Sequence, residues 1–85
     1  MKIFETSKFK KQRKKLKEQS EKEALKEAII EIAKSPYLSK KLKGELRNLR
    51  SFKYFVKGQE QRLIYKYEKG NLYVLSFGPR EGIHG

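Results

Sequence analysis

The 85-residue chain has no cysteine, no tryptophan, two prolines and one histidine. Without cysteine there is no disulfide framework and no thiolate metal site, a usage that fits a reducing cytoplasm. No cofactor or metal is expected. No apolar run approaches the roughly 18 residues that span a bilayer, so no membrane partner is expected. The opening Met1-Lys2-Ile3-Phe4-Glu5-Thr6 lacks the apolar centre of a secretory leader. Internal repeats and Gly/Ser/Pro-rich linkers are missing too, so residues 1–85 read as one domain. A chain this short buries only about 60–65% of its unfolded surface, which leaves a thin core.

Negative charge is scarce. Ten acidic residues face 22 Lys and Arg, a net charge of +12. A small domain this basic repels itself, and a polyanionic partner is the usual reason to tolerate that. Nucleic acid leads, although an acidic protein or an anionic membrane surface gives the same signal.

What remains organises into strand, helix, helix and three strands. Ile3–Glu5 is a short apolar start, and Thr6-Ser7 offers an N-cap. A helix is predicted from Ser7 to Gln19, with Phe9 and Leu16 on one face. Seven of the ten residues from Lys8 to Lys17 are basic, so its apolar stripe is meagre. Ser20-Glu21-Lys22-Glu23 has the spacing of a capping box. The helix that follows puts Leu25, Ala28, Ile29 and Ile32 on one stripe. Ser35-Pro36 ends it, because proline disfavours helical geometry in the preceding residue. Two helices joined by a short polar turn are expected to pack as an antiparallel hairpin.

After a basic connection from Pro36 to Arg50 the period changes to two. Ser51–Val56, Arg62–Tyr67 and Leu72–Phe77 read as strands, joined by short glycine-containing turns. The predicted architecture is α+β: an N-terminal strand and a helix hairpin packed on one face of a small antiparallel sheet, in the order β-α-α-β-β-β.

If Leu63, Tyr65 and Tyr67 point to the helices, then Arg62, Ile64 and Lys66 point away. Lys53 can share that outer face, and the last strand runs out to Arg80 and His84. Such a cationic face with one titratable group is the minimum for cutting RNA, whose 2′-hydroxyl is its own nucleophile. Arginine suits the phosphoryl oxygens because its fork stays ionised. Histidine suits proton transfer near neutrality. Each residue alone has a plainer reading: a solvated arginine, a terminal histidine, a lysine-rich solvated helix, tyrosines that pack.

Leu42-Lys43-Gly44, then Arg62-Leu63-Ile64-Tyr65, then Phe77-Gly78-Pro79-Arg80-Glu81 together resemble the RelE/ParE toxin superfamily over the whole chain. Arg80-Glu81-Gly82-Ile83-His84 looks like the YafQ-type branch. The resemblance implies a type II toxin–antitoxin endoribonuclease that cuts mRNA in the ribosomal A site. Carried over by position, Arg62 is implied to bind phosphate and Arg80 to stabilise transition-state charge. His84 is implied to act as general acid or general base, with Lys53 as a further basic catalytic residue. Lys41, Lys43, Arg50 and Lys66 are expected to contact RNA. Phe55 stands where relatives carry a second lysine, and a base can stack on it instead, worth roughly 1–3 kcal/mol. The implied partners are an acidic cognate antitoxin, mRNA and ribosomal RNA of a 70S-type ribosome. A ParE-like gyrase poison, a non-catalytic nucleic-acid binder and an inactive relative are the alternatives.

Overall fold

In the computed structural model, which describes residues 1–37, 39–42 and 48–79, the period-two segments pair into one sheet. The elements are β1 (Ile3–Glu5), α1 (Ser7–Lys14), α2 (Gln19–Lys34), β2 (Lys40–Lys41), β3 (Arg50–Val56), β4 (Gln59–Glu68) and β5 (Asn71–Pro79). The strand order is β1-β5-β4-β3-β2. The α+β expectation holds, with a difference in the sheet. β1 is an edge strand running parallel to β5, with Ile3 opposite Leu72 and Glu5 opposite Val74, so the sheet is mixed. The remaining pairs are antiparallel.

The turns explain the tight β3-β4-β5 meander. Lys57-Gly58 and Lys69-Gly70 both have positive φ, at 51° and 80° and at 52° and 79°. Two left-handed residues in a row match the strand twist and favour glycine at the second position. The turns are therefore shorter than the composition suggests, and β4 starts at Gln59 rather than Arg62. β2 is a two-residue strand inside the stretch read as a basic connection.

One sheet face is covered. Phe9, Leu25, Ala28 and Ile32 from the helices meet Leu63, Tyr65, Leu72, Val74 and Phe77 from the sheet. Phe9 is fully buried and lies edge-on to Phe77, at 5.3 Å between ring centroids. Burying such a side chain stabilises by roughly 1.5–3 kcal/mol. Val74 and Phe77 are three residues apart yet both face the helices. A bulge makes this possible: Ile64 pairs with Ser76 and Tyr65 with Val74, leaving Leu75 unpaired.

The helix ends depart from expectation. Thr6 does cap α1, its hydroxyl accepting from Phe9 N at 3.1 Å. α1 stops at Lys14, not Gln19: Lys15 N and Leu16 N turn to Gln12 O and Arg13 O, tightening the last turn. Successive lysines three and four apart repel along a helix, which opposes its extension. The capping box does not form. Glu18 is the N-cap of α2 without a side-chain cap bond. Glu23 accepts instead from Gln19 Nε2 at 3.3 Å, and Glu18 pairs with Lys57 at the β3-β4 turn. Proline does end α2 as expected, with Ser35 as C-cap.

The free edge of β5 beyond β1 is closed by side chains. Thr6 Oγ1 donates to Leu75 O at 2.8 Å. Gln12 spans Phe77, its Nε2 donating to Phe77 O at 2.9 Å and its Oε1 accepting from Phe77 N at 3.0 Å. An edge so paired no longer offers itself to another strand. Among the described residues no helix is long and apolar enough to cross a membrane.

Burial pushes the Tyr54 hydroxyl up to about 12, with the Glu21 charge adding a smaller part. Burial also raises Tyr65, whose hydroxyl donates to Pro36 O at 2.7 Å. The unfolded chain loses such protons near pH 10, earlier than the folded chain. Stability is thus expected to be intact below pH 10 and to fall as pH rises from 10 towards 12. Tyr54→Phe should flatten that decline in unfolding curves taken from pH 8 to 12. An equally steep decline in the variant would contradict the assignment.

Candidate functional site

With Leu63 and Tyr65 buried against the helices, β4 must send Glu60, Arg62, Ile64, Lys66 and Glu68 to the other face. Register extends this across the sheet. Arg62 is directly opposite Lys53 on one side and Gly78 on the other. Residues so paired sit roughly 4.5–5.5 Å apart at Cα. Gly78 brings no side chain to its place beside Arg62. Phe55, 58% exposed, lies on this face opposite Glu60.

Arg62 is held. Its Nε donates to Glu60 Oε2 at 3.2 Å, and its Nη2 lies 3.2 Å from the same oxygen. Both side chains are mostly buried, 21% and 23% exposed. Lys53, by contrast, is exposed. The centre of the face is not bare: Ile64 is 5% and Ser51 9% exposed, and Ser51 Oγ has no hydrogen-bond partner among the described residues.

Lys66 shares the face but sits four residues along β4 from Arg62, roughly 13 Å away. Its Nζ lies 5.1 Å from the centre of the Tyr73 ring and 3.3 Å from Glu68 Oε2. Tyr73 in turn stacks on Phe4 at 5.2 Å.

The structure therefore brings Lys53, Arg62 and Phe55 together and places Lys66 farther along the same face. It does not gather Arg50 or Lys41 there. Arg50 pairs with Tyr65 and Lys41 with Arg50, which puts both in register with the helix-facing set. Arg50 Nη1 donates to Tyr37 O at 3.2 Å and to Ser39 O at 2.8 Å, and the guanidinium lies 5.2 Å from the Tyr37 ring centre. It pins the segment after α2. Lys43, Arg80 and His84 lie outside the described residues.

A second surface lies across the molecule. A groove of about 540 Å³ has a floor of Leu16, Leu25, Ile29 and Ile30, with Arg13, Lys14, Lys22 and Lys26 at its rim.

A family model, the ParE-like toxin of type II bacterial toxin–antitoxin systems, matches residues 3–84. The chain belongs to that family. The toxin is similar to the isolated RelE toxin of E. coli, with 25% identity and a TM-score of 0.75 over 92% of this chain and 82% of that one. It is similar to a chain of the intact E. coli RelBE toxin–antitoxin complex, with 20% identity and a TM-score of 0.74 over 92% and 94%. YafQ from E. coli strain BL21(DE3) shares 20% identity and a TM-score of 0.63 over 98% and 97%. No curated protein sequence matches the toxin. These likenesses carry the RelE/ParE-superfamily fold, on its RelE/YafQ side.

Sequence reasoning missed Glu60. The signal was present: Glu60 and Arg62 are two apart, and on a strand that spacing puts them on one face. Assigning 57–61 wholly to a turn hid it.

Placement separates scaffold from surface. Arg50→Ala is expected to cost about 1–2 kcal/mol of stability through the lost charged hydrogen bonds, while leaving heparin affinity nearly unchanged. Lys53→Ala and Arg62→Ala should weaken heparin binding and reduce its salt dependence. Thermal melts and salt-titrated binding check both. A large heparin effect at Arg50 with none at Lys53 or Arg62 would contradict the placement.

Proposed function

We propose that this toxin is an endoribonuclease that cuts mRNA on the ribosome by attack of a 2′-hydroxyl on the adjacent phosphate. The observation that carries the reading is the opposed pair Lys53 and Arg62 on the helix-free face, with Gly78 as the neighbour of Arg62 on its other side. Two cations side by side can hold the non-bridging oxygens of one phosphate, where negative charge grows in the transition state. The 2′-oxygen forms a new bond to phosphorus and the 5′-oxygen leaves. The products are a 2′,3′-cyclic phosphate and a 5′-hydroxyl end.

Arg80 is assigned to the same developing charge. His84 is assigned the proton step, as base on the 2′-hydroxyl or acid to the departing 5′-oxygen. Both assignments rest on the resemblance of the terminal R-x-G-x-H run to RNA-cutting relatives. Phe55 is exposed beside the cations and offers a ring on which a base can stack.

The partners follow the same reading. Bulk positive charge favours ribosomal RNA phosphates, bound in a salt-dependent and sequence-independent way. The groove between the helices, apolar below and basic at its rim, fits an acidic antitoxin segment that folds as it binds. The site of action on this reading is the cytoplasm.

Purified toxin given programmed ribosomes is expected to cut mRNA and leave a 2′,3′-cyclic phosphate or 3′-phosphate end. Arg62→Ala, Arg80→Ala and His84→Ala should each slow the cut by roughly a hundredfold or more, the scale of losing one transition-state contact. Intact mRNA, together with gyrase-linked DNA breaks on expression, would favour the gyrase-poison alternative.

A further inference from the structure

Among the described residues, Glu60 is a carboxylate whose place beside Arg62 a simple cationic phosphate clamp does not explain. Glu60 sits two residues before Arg62 on the same strand face, and a single oxygen, Oε2, takes both Nε and Nη2 of the guanidinium. A guanidinium has two usable forks: a side edge of Nε and Nη2, and an end edge of Nη1 and Nη2. Glu60 occupies the side edge. The end edge has no partner at Nη1 among the described residues, and it is the edge that matches two phosphate oxygens.

A solvated arginine has many rotamers, and that freedom is lost when it must be aimed. Here part of that ordering precedes the substrate. Both Cα atoms are fixed by one β-strand, and both side chains are mostly buried. Glu60 also has an opposing effect. Its negative charge lies close to where the phosphate would sit, so it weakens ground-state binding of RNA. The two effects act on different quantities, aim on turnover and charge on affinity.

We propose that Glu60 is a positioning residue, whose carboxylate grips the side edge of Arg62 so that the end edge faces the incoming RNA phosphate, and whose charge limits how tightly that phosphate is held. This rests on the reading of Arg62 as a phosphate-binding residue. The substitutions Glu60→Gln and Glu60→Ala separate the two effects. Glutamine keeps an acceptor at the same reach and removes the charge, while alanine removes both.

In cleavage of mRNA on programmed ribosomes, Glu60→Gln is expected to lower KM severalfold with kcat near the parent value. Glu60→Ala should lower KM as well but cut kcat about tenfold, the scale of a misaimed contact group. In an Arg62→Ala background, Glu60→Ala should change kcat no further. A rise in kcat on Glu60→Ala would overturn the proposal, because Glu60 would then be a plug competing with phosphate. Unchanged kcat and KM would overturn it too, because the pair would be an idle surface contact.

Two readouts need no cleavage. The Arg62 Hε resonance should exchange slowly with water in the parent protein and in Glu60→Gln, and quickly in Glu60→Ala. Affinity for an uncleavable RNA with a 2′-deoxy scissile nucleotide should rise in both variants. If the parent protein cuts no mRNA, the ribonuclease reading fails. The tether is then judged on these two measurements, and fast Hε exchange in the parent protein sinks it.

Discussion

Leu63 and Tyr65 cannot be buried beneath the helices unless Glu60, Arg62 and Lys66 turn the other way. That alternation in β4 ties the thin core to the charged face. A one-residue slip would bury an arginine and expose a leucine, so the core enforces the register that places Arg62 opposite Lys53. The hydrophobic set and the cationic set are therefore two consequences of one constraint. In a chain with a net charge of +12, this gathers Lys53, Arg62 and Lys66 on the face that folding does not use.

β5 needs more care than β4, because it is bordered by an edge strand only three residues long. The bulge at Leu75 lets both Val74 and Phe77 reach the core, and it thereby decides that Gly78 is the residue beside Arg62. Thr6 and Gln12 then hold the backbone that β1 leaves open. These side chains come from the start of the chain and from α1. Helix docking and site geometry are thus mechanically joined, although the helices lie on the opposite face from Arg62.

The sequence made the core, the helix-free face and the order of elements legible, because buried apolar residues impose periods of 3.6 and two. Arg62, Lys53, Phe55 and Lys66 fell on the expected face for that reason. Arg50 did not. Its role depends on Tyr37 and Ser39, which meet it only after the chain turns back, and no local pattern encodes that return. The Ser20 capping box failed similarly: a distant Lys57 engages Glu18, and the helix starts there instead. β1 was recognised as a strand, but its parallel pairing with β5 joins the two ends of the chain. Glu60 was hidden by an overlong turn, since two positive-φ residues complete the reversal and free Gln59 to begin the strand.

The proposed phosphate site makes the helix-free face, rather than the lysine-rich α1, the place where RNA is held for cutting. Amide chemical shifts followed during titration with a short uncleavable RNA test this most directly. The proposed site predicts the largest early changes at Lys53, Arg62 and Gly78, with α1 responding later and in parallel with salt. Early changes confined to α1 and α2, with those three amides still, would contradict it.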